Sequence, residues 1–114
     1  MSFLSSLFGG SVLNSDRFEI LDKKTFRKAI QQRNTQLIDV RTPREFKSGH
    51  INKAINVDLF QTSDFIPAFE KLDKKRPVYL YCRSGSRSRK AAQKVLDMGF
   101  EKIYDLKGGY MHWG

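Results

Sequence analysis

Cysteine occurs once in the 114 residues, at Cys82. Intramolecular disulfides are therefore excluded, as is a Cys-x-x-Cys redox pair within the chain. Such sparing use of cysteine points to a reducing compartment, the cytoplasm. Histidine is almost as scarce: His50 and His112 stand alone with no ligand spacing, so neither a metal nor a cofactor is expected. No apolar run approaches the roughly 18 residues that would cross a bilayer, which argues against a membrane partner. Acidic residues are in deficit, 12 against 21 Lys and Arg, and the formal net charge is +9. An excess of that sign favours anionic partners.

The length suits one domain able to bury a core without disulfides or a structural metal. Met1 to Gly10 carry no charged side chain and include Phe3, Leu4, Leu7 and Phe8. An early basic residue and a small-residue cleavage site are both missing, so this stretch does not read as a secretory signal. Residues 1–15 are expected to be a flexible tail and residues 16–114 the domain.

Within the domain, short apolar runs alternate with helical periodicity. Strands are expected at 18–21, 36–40, 54–57, 77–81 and 102–106. Asp22 is placed to cap a helix bearing Phe26, Ala29 and Ile30 on one face. Thr42 and Pro43 open a short helix that Gly49 would end. A helix is expected over 63–72, with Pro67 confining its regular part or marking its first turn. Ser86 to Met98 carries Ala91, Ala92, Val95 and Leu96 on one face, with Gly99 as the stop signal. The run Val78-Tyr79-Leu80-Tyr81 is nearly all apolar, as in a strand covered on both faces. Alternation of this kind predicts an α/β fold, with a mainly parallel five-stranded sheet flanked by helices.

Cys82 falls at the end of the fourth strand, immediately before a helix, where ligand sites gather in open α/β sheets. Eight Lys or Arg and no acidic residue lie between Lys74 and Lys94. Ser84, Gly85 and Ser86 add little bulk, so successive backbone N–H groups can converge on one anion. Arg83 and Arg87 supply planar charged forks suited to oxyanions. These are the conditions that lower a thiol pKa. A shift from about 8.5 to about 6.5 needs roughly 2.7 kcal/mol of preference for the thiolate, within reach of a helix terminus and two guanidiniums. Cys82 is thus expected to be a nucleophile.

Three segments resemble the single-domain rhodaneses: Ile38-Asp39-Val40-Arg41 with Glu45-Phe46; Gly49-His50-Ile51 with Ala54 and Asn56; and Tyr81-Cys82-Arg83-Ser84-Gly85-Ser86-Arg87. Gly108-Gly109 with Trp113 is similar to the family's C-terminal pattern. The resemblance implies a sulfurtransferase in which Cys82 takes sulfane sulfur from a small anionic donor such as thiosulfate. The resulting persulfide would pass its sulfur to cyanide, a small thiol or a protein thiol. It further implies that loop residues 83–87 hold the persulfide and that Arg83 and Arg87 bind the donor. Asp39, Arg44 and Glu45 would support the scaffold, and His50, Tyr110 and Trp113 would pack. Lys53 departs from the pattern, which usually has glycine before Ala54. The expected oligomeric state is a monomer or weak homodimer.

Other classes fit less well. A Cys-x5-Arg phosphatase loop would put arginine at position 88, where this sequence has serine. A persulfide carrier or redox-sensing module would use the same thiol, with any disulfide formed to another molecule. Nucleic-acid binding is not expected, since the basic block has few interleaved aromatics and matches no recognised module.

Overall fold

The structure is a computed structural model and describes residues 15–114. The expected tail, Ser15 apart, lies outside the described residues. Among the described residues five strands, β1 (Phe18–Leu21), β2 (Gln36–Asp39), β3 (Ile55–Asn56), β4 (Val78–Tyr81) and β5 (Ile103–Leu106), alternate with four helices. The helices are α1 (Lys23–Ala29), α2 (Pro43–Ser48), α3 (Thr62–Glu70) and α4 (Ser86–Asp97), and a 3-10 turn at Tyr110–His112 follows β5. The sheet order is β1-β5-β4-β2-β3. Every pairing is parallel, so the expected mainly parallel sheet is parallel throughout.

Local chemistry accounts for the helix ends. Asp22 caps α1 by accepting from the Thr25 N–H at 2.8 Å. Thr42 and Glu45 form a reciprocal capping box on α2, with Pro43 at its start. Contrary to expectation, Pro67 lies inside α3 and does not bound it. Its missing N–H removes one internal bond, and Phe65 and Phe69, both buried, hold the helix against the sheet on either side of the proline.

Two apolar layers cover the sheet. One joins Ile38, Val40, Val78, Leu80 and Ile103 to Phe65 and Phe69 of α3 and to Ala91, Ala92, Val95 and Leu96 of α4. The other joins Leu21, Leu37, Tyr81 and Leu106 to Phe26 of α1 and to Trp113. Burial on both faces explains the near-continuous apolar runs of the central strands. Cys82, next after β4, belongs to the first layer.

Candidate active site at Cys82

β4 occupies the interior of the sheet, between β2 and β5. The chain leaves it at Cys82 and turns into α4 through Arg83, Ser84 and Gly85. Gly85 takes φ +110°, a conformation glycine adopts without Cβ penalty. The turn folds back so that the Gly85 N–H donates to Cys82 Sγ at 3.0 Å. Ser88, fully buried in the first turn of α4, brings its Oγ to 3.5 Å from the same sulfur and donates to the Gly85 carbonyl at 3.1 Å. The sulfur thus sits at the base of the loop, only 1% of the residue exposed, beneath the N-terminus of a twelve-residue helix. A sulfur in this position receives a backbone donor and the positive end of the helix dipole, both of which favour an anion.

The C-terminal segment fixes the near side of the loop. The Tyr110 N–H donates to the Cys82 carbonyl at 2.8 Å and the Met111 N–H to the Arg83 carbonyl at 3.0 Å. Gly109, at φ +67°, lies so close that a Cβ there would stand 2.3 Å from the Arg83 carbonyl oxygen. Of the double glycine in the C-terminal pattern, Gly109 is therefore the member that meets the Cys82 loop, while Gly108 faces the His112 ring.

The two loop arginines differ. Arg83 is exposed, and its side chain makes no ion pair among the described residues. Arg87 does not point freely at a donor, as the sequence led us to expect. Its Nη1 and Nη2 donate to Glu45 Oε1 at 2.6 Å and Oε2 at 2.8 Å, a two-pronged pair. This hydrogen bonding to Arg87 holds the Glu45 carboxyl down to about 2, assisted by the Thr42 cap and opposed by partial burial. Ser84 and Ser86 are exposed at the loop surface.

Asp39 and Arg41 form a buried ion pair at the end of β2, with Arg41 Nη2 2.6 Å from Asp39 Oδ2. Arg41 Nη2 also donates to the Gly49 carbonyl at 2.7 Å, and its guanidinium lies 4.5 Å from the Tyr110 ring centroid. The pair thereby ties β2, the end of α2 and the C-terminal turn together. Arg44, expected in that supporting role, is exposed and makes no side-chain hydrogen bond or ion pair among the described residues. Arg41 performs the bracing instead: it sits two residues past Asp39, close enough for its guanidinium to fold back onto that carboxylate. His50 stacks on Phe46 at 3.6 Å, and Trp113 meets Phe26 edge-on at 6.1 Å.

Sequence reasoning missed Ser88 and Asp105, and it named Gly109 only as part of the C-terminal pattern, without its contact to the loop. Asp105 is 1% exposed, and neither of its carboxylate oxygens closes a hydrogen bond. Burial pushes its carboxyl up to about 6, with Ser88, Arg89 and the Leu106 backbone pulling the other way. Among the described residues no cluster of three or more His, Cys, Asp or Glu could hold a metal ion. Nor is any helix among them long and apolar enough to cross a membrane.

The chain is 37% identical over 113 residues to YqhL, an uncharacterised protein of Bacillus subtilis, covering 99% of this chain and 86% of that one. It is 31% identical over 93 residues to the tRNA uridine(34) hydroxylase of Pelagibacter ubique, covering 82% of this chain and 31% of the hydroxylase. The human single-domain sulfurtransferase TSTD1 superposes with a TM-score of 0.69 at 20% identity, covering 82% of this chain and 93% of that one, a likeness of fold. The family model for the rhodanese-like domain matches residues 22–114, and the chain belongs to that family.

Proposed function

We propose that this protein is a sulfurtransferase that carries sulfane sulfur on Cys82 as a persulfide and works by ping-pong exchange. One observation carries the reading: the Gly85 N–H donating to Cys82 Sγ at 3.0 Å, at the base of a loop only four residues wide between Cys82 and Arg87. A thiolate held there attacks the outer sulfur of a donor such as thiosulfate. The donor's S–S bond breaks and sulfite leaves with the electron pair. The new S–S bond, about 2 Å long, carries the terminal sulfur from the buried Sγ toward the loop amides. A thiophile, whether cyanide, a small thiol or a protein thiol, then attacks that outer sulfur. The persulfide bond breaks and the Cys82 thiolate returns. The exchange needs no redox cofactor or metal, and a free thiolate suits the reducing cytoplasm.

The cations divide the work. Arg83, exposed and without an ion pair among the described residues, meets the donor oxyanion. Arg87 shares its charge with Glu45 and contributes chiefly by closing the loop. The narrowness of the loop supports sulfur over a phosphoryl group, whose oxygens demand more amides at greater radius.

Intact mass after incubation with thiosulfate tests the reading directly. The wild-type chain is expected to gain one sulfur that a reductant removes, and Cys82→Ser to gain none and to lose turnover with thiosulfate and cyanide. Normal turnover by Cys82→Ser would end the proposal. A persulfide that forms but passes on only once, to a protein thiol, would make the protein a carrier.

A further inference from the structure

Asp105 is buried beside the Cys82 site like Asp39, but where Asp39 has Arg41 as its partner, Asp105 has no hydrogen bond and no role in the exchange above. It sits in β5, level with Leu80 of β4 on one side and Ile20 of β1 on the other. It shares the α4-covered face with Ile103, two residues earlier on the same strand. The titratable and charged groups facing it are few. Neither Ile20 nor Leu80 ionises. From α4, Arg89 reaches it with Nε 3.9 Å from Oδ2, and Ser88 presents its hydroxyl. Cys82, just past β4, has its Sγ 3.5 Å from Ser88 Oγ.

Ser88 Oγ therefore stands among three groups: it donates to the Gly85 carbonyl at 3.1 Å, the Cys82 thiol donates to it at 3.5 Å and becomes an acceptor once ionised, and the Asp105 carboxylate competes for the same hydroxyl proton. The hydroxyl is near enough to lower the carboxyl's pKa without closing a hydrogen bond of ordinary geometry, which leaves both carboxylate oxygens unsatisfied. Buried polar atoms in that condition are uncommon and call for a reason. Packing does not supply one, because asparagine or an apolar residue would fill the same space without burying a charge.

We propose that Asp105 is a positioning residue of the Cys82 site: by its protonation state it determines, through the Ser88 hydroxyl, how strongly the Cys82 thiolate is hydrogen-bonded. When Asp105 is protonated, its O–H donates to Ser88 Oγ, and the Ser88 proton is free to turn toward the sulfur. When Asp105 is ionised, it competes for the Ser88 proton and sets a second negative charge near the thiolate. Both effects of ionisation work against the thiolate, so they reinforce each other. No covalent bond changes; protons are exchanged with solvent and shared along Asp105, Ser88 and Cys82. This inference rests on the reading of Cys82 as the nucleophile.

The chain has a single cysteine, so the rate of alkylation by iodoacetamide reports Cys82 alone. It does so whether or not sulfur is ever transferred, which separates this test from that of the proposed function. The rate is measured from about pH 5 to about pH 9 on the wild type, Asp105→Asn, Ser88→Ala and the double variant. Asp105→Asn, which keeps a donor aimed at Ser88 and removes the charge, is expected to move the half-rise of the profile to lower pH by about half a unit or more. In the Ser88→Ala background the same substitution is expected to move it by clearly less. Superimposable profiles for wild type and Asp105→Asn would overturn the proposal. So would an undiminished shift in the Ser88→Ala background, since coupling would then pass through space without the hydroxyl. Should Asp105→Asn fail to fold, the wild type decides: its profile must show a second inflection where carboxyl-carbon NMR finds Asp105 titrating, and a single inflection overturns the proposal.

Discussion

The two flanks of the Cys82 loop each carry a carboxylate, and the two are treated in opposite ways. On the β2 side, Glu45 is partly open to solvent, caps α2 and grips Arg87 with both oxygens. On the β5 side, Asp105 is enclosed, with no hydrogen bond closed and, among the described residues, one cation, Arg89, at 3.9 Å. Their pKa values move apart accordingly, Glu45 to about 2 and Asp105 to about 6. The β2 flank uses its charge to hold the loop closed. The β5 flank keeps a charge poorly compensated next to α4, the helix that brings Ser88 against Cys82. Such contrasts between neighbouring ionisable groups are a mark of functional sites.

The largest effect should come from the backbone that braces the β5 flank. Gly109→Ala would place a methyl 2.3 Å from the Arg83 carbonyl oxygen, on a backbone already at φ +67°. That backbone, at ψ −168°, lies where almost only glycine goes and costs of order 1–3 kcal/mol by itself, and the clash forces either the C-terminal turn or the loop to move. We expect a loss of about 3 kcal/mol or more of stability in urea unfolding. Sulfur transfer should fall about a hundredfold, as for any displacement of a reacting group by roughly an ångström. Gly85→Ala sharpens the contrast: its Cβ meets nothing within 4 Å, so it should carry only the backbone strain, of order 1–3 kcal/mol. Equal losses from the two would show that close approach at Gly109 does not matter.

Next in size is the charge on Asp105. Its folded pKa, about 6, stands above the ordinary value of 3.8. A raised carboxyl binds more protons folded than unfolded between those values, so stability falls as pH rises across that window. The penalty is absent below about pH 4 and complete above about pH 6. Two pKa units correspond to roughly 2–3 kcal/mol. Asp105→Asn should therefore unfold at higher urea than the wild type at pH 8, with the difference vanishing near pH 4. A difference that stays constant with pH would mean that the side chain's shape, not its ionisation, sets its cost.

These effects differ in how far the sequence foretold them. Caps and turns are short-range, and the Asp22, Thr42-Pro43 and Gly85 features lie where their local chemistry put them. The parallel sheet followed from apolar runs covered on both faces. Lys53, where the resemblance would have glycine, takes φ +74°, a backbone conformation that glycine favours. What stayed hidden depends on the third dimension. Pro67 looked like a boundary, because nothing local reveals that two buried phenylalanines hold α3 through it. Arg41 and Arg44 are equally plausible braces in one dimension, and only the fold turns one inward and the other out. Asp105 sits in a strand-like Ile-Tyr-Asp-Leu run that carries no sign of a site; only strand order and α4 bury it. Arg87 was read as a donor-binding cation because Glu45, 42 residues away, is invisible as its partner until the chain folds.

The β2 flank should respond least in stability and most in anion recognition. Glu45→Gln keeps the Thr42 cap and one hydrogen bond to Arg87 while removing the negative charge. The depressed carboxyl contributes stability that is present above its ordinary value of 4.5 and lost as pH falls through about 2. Near a partly exposed pair the loss at neutral pH should be no more than about 1 kcal/mol. Function should change in a different coordinate. With Glu45 neutral, the full charge of Arg87 acts on the loop mouth, and KM for thiosulfate should fall a few-fold while an uncharged donor is unaffected. A rise in KM for thiosulfate would mean that Glu45 aims Arg87 at the donor. An equal change for both donors would mean that the pair shapes the loop without tuning its field. Either result would narrow the difference between the flanks to burial alone. The expected result instead gives each flank its own part, with charge for the donor on the β2 side and hydrogen bonding for the thiolate on the β5 side.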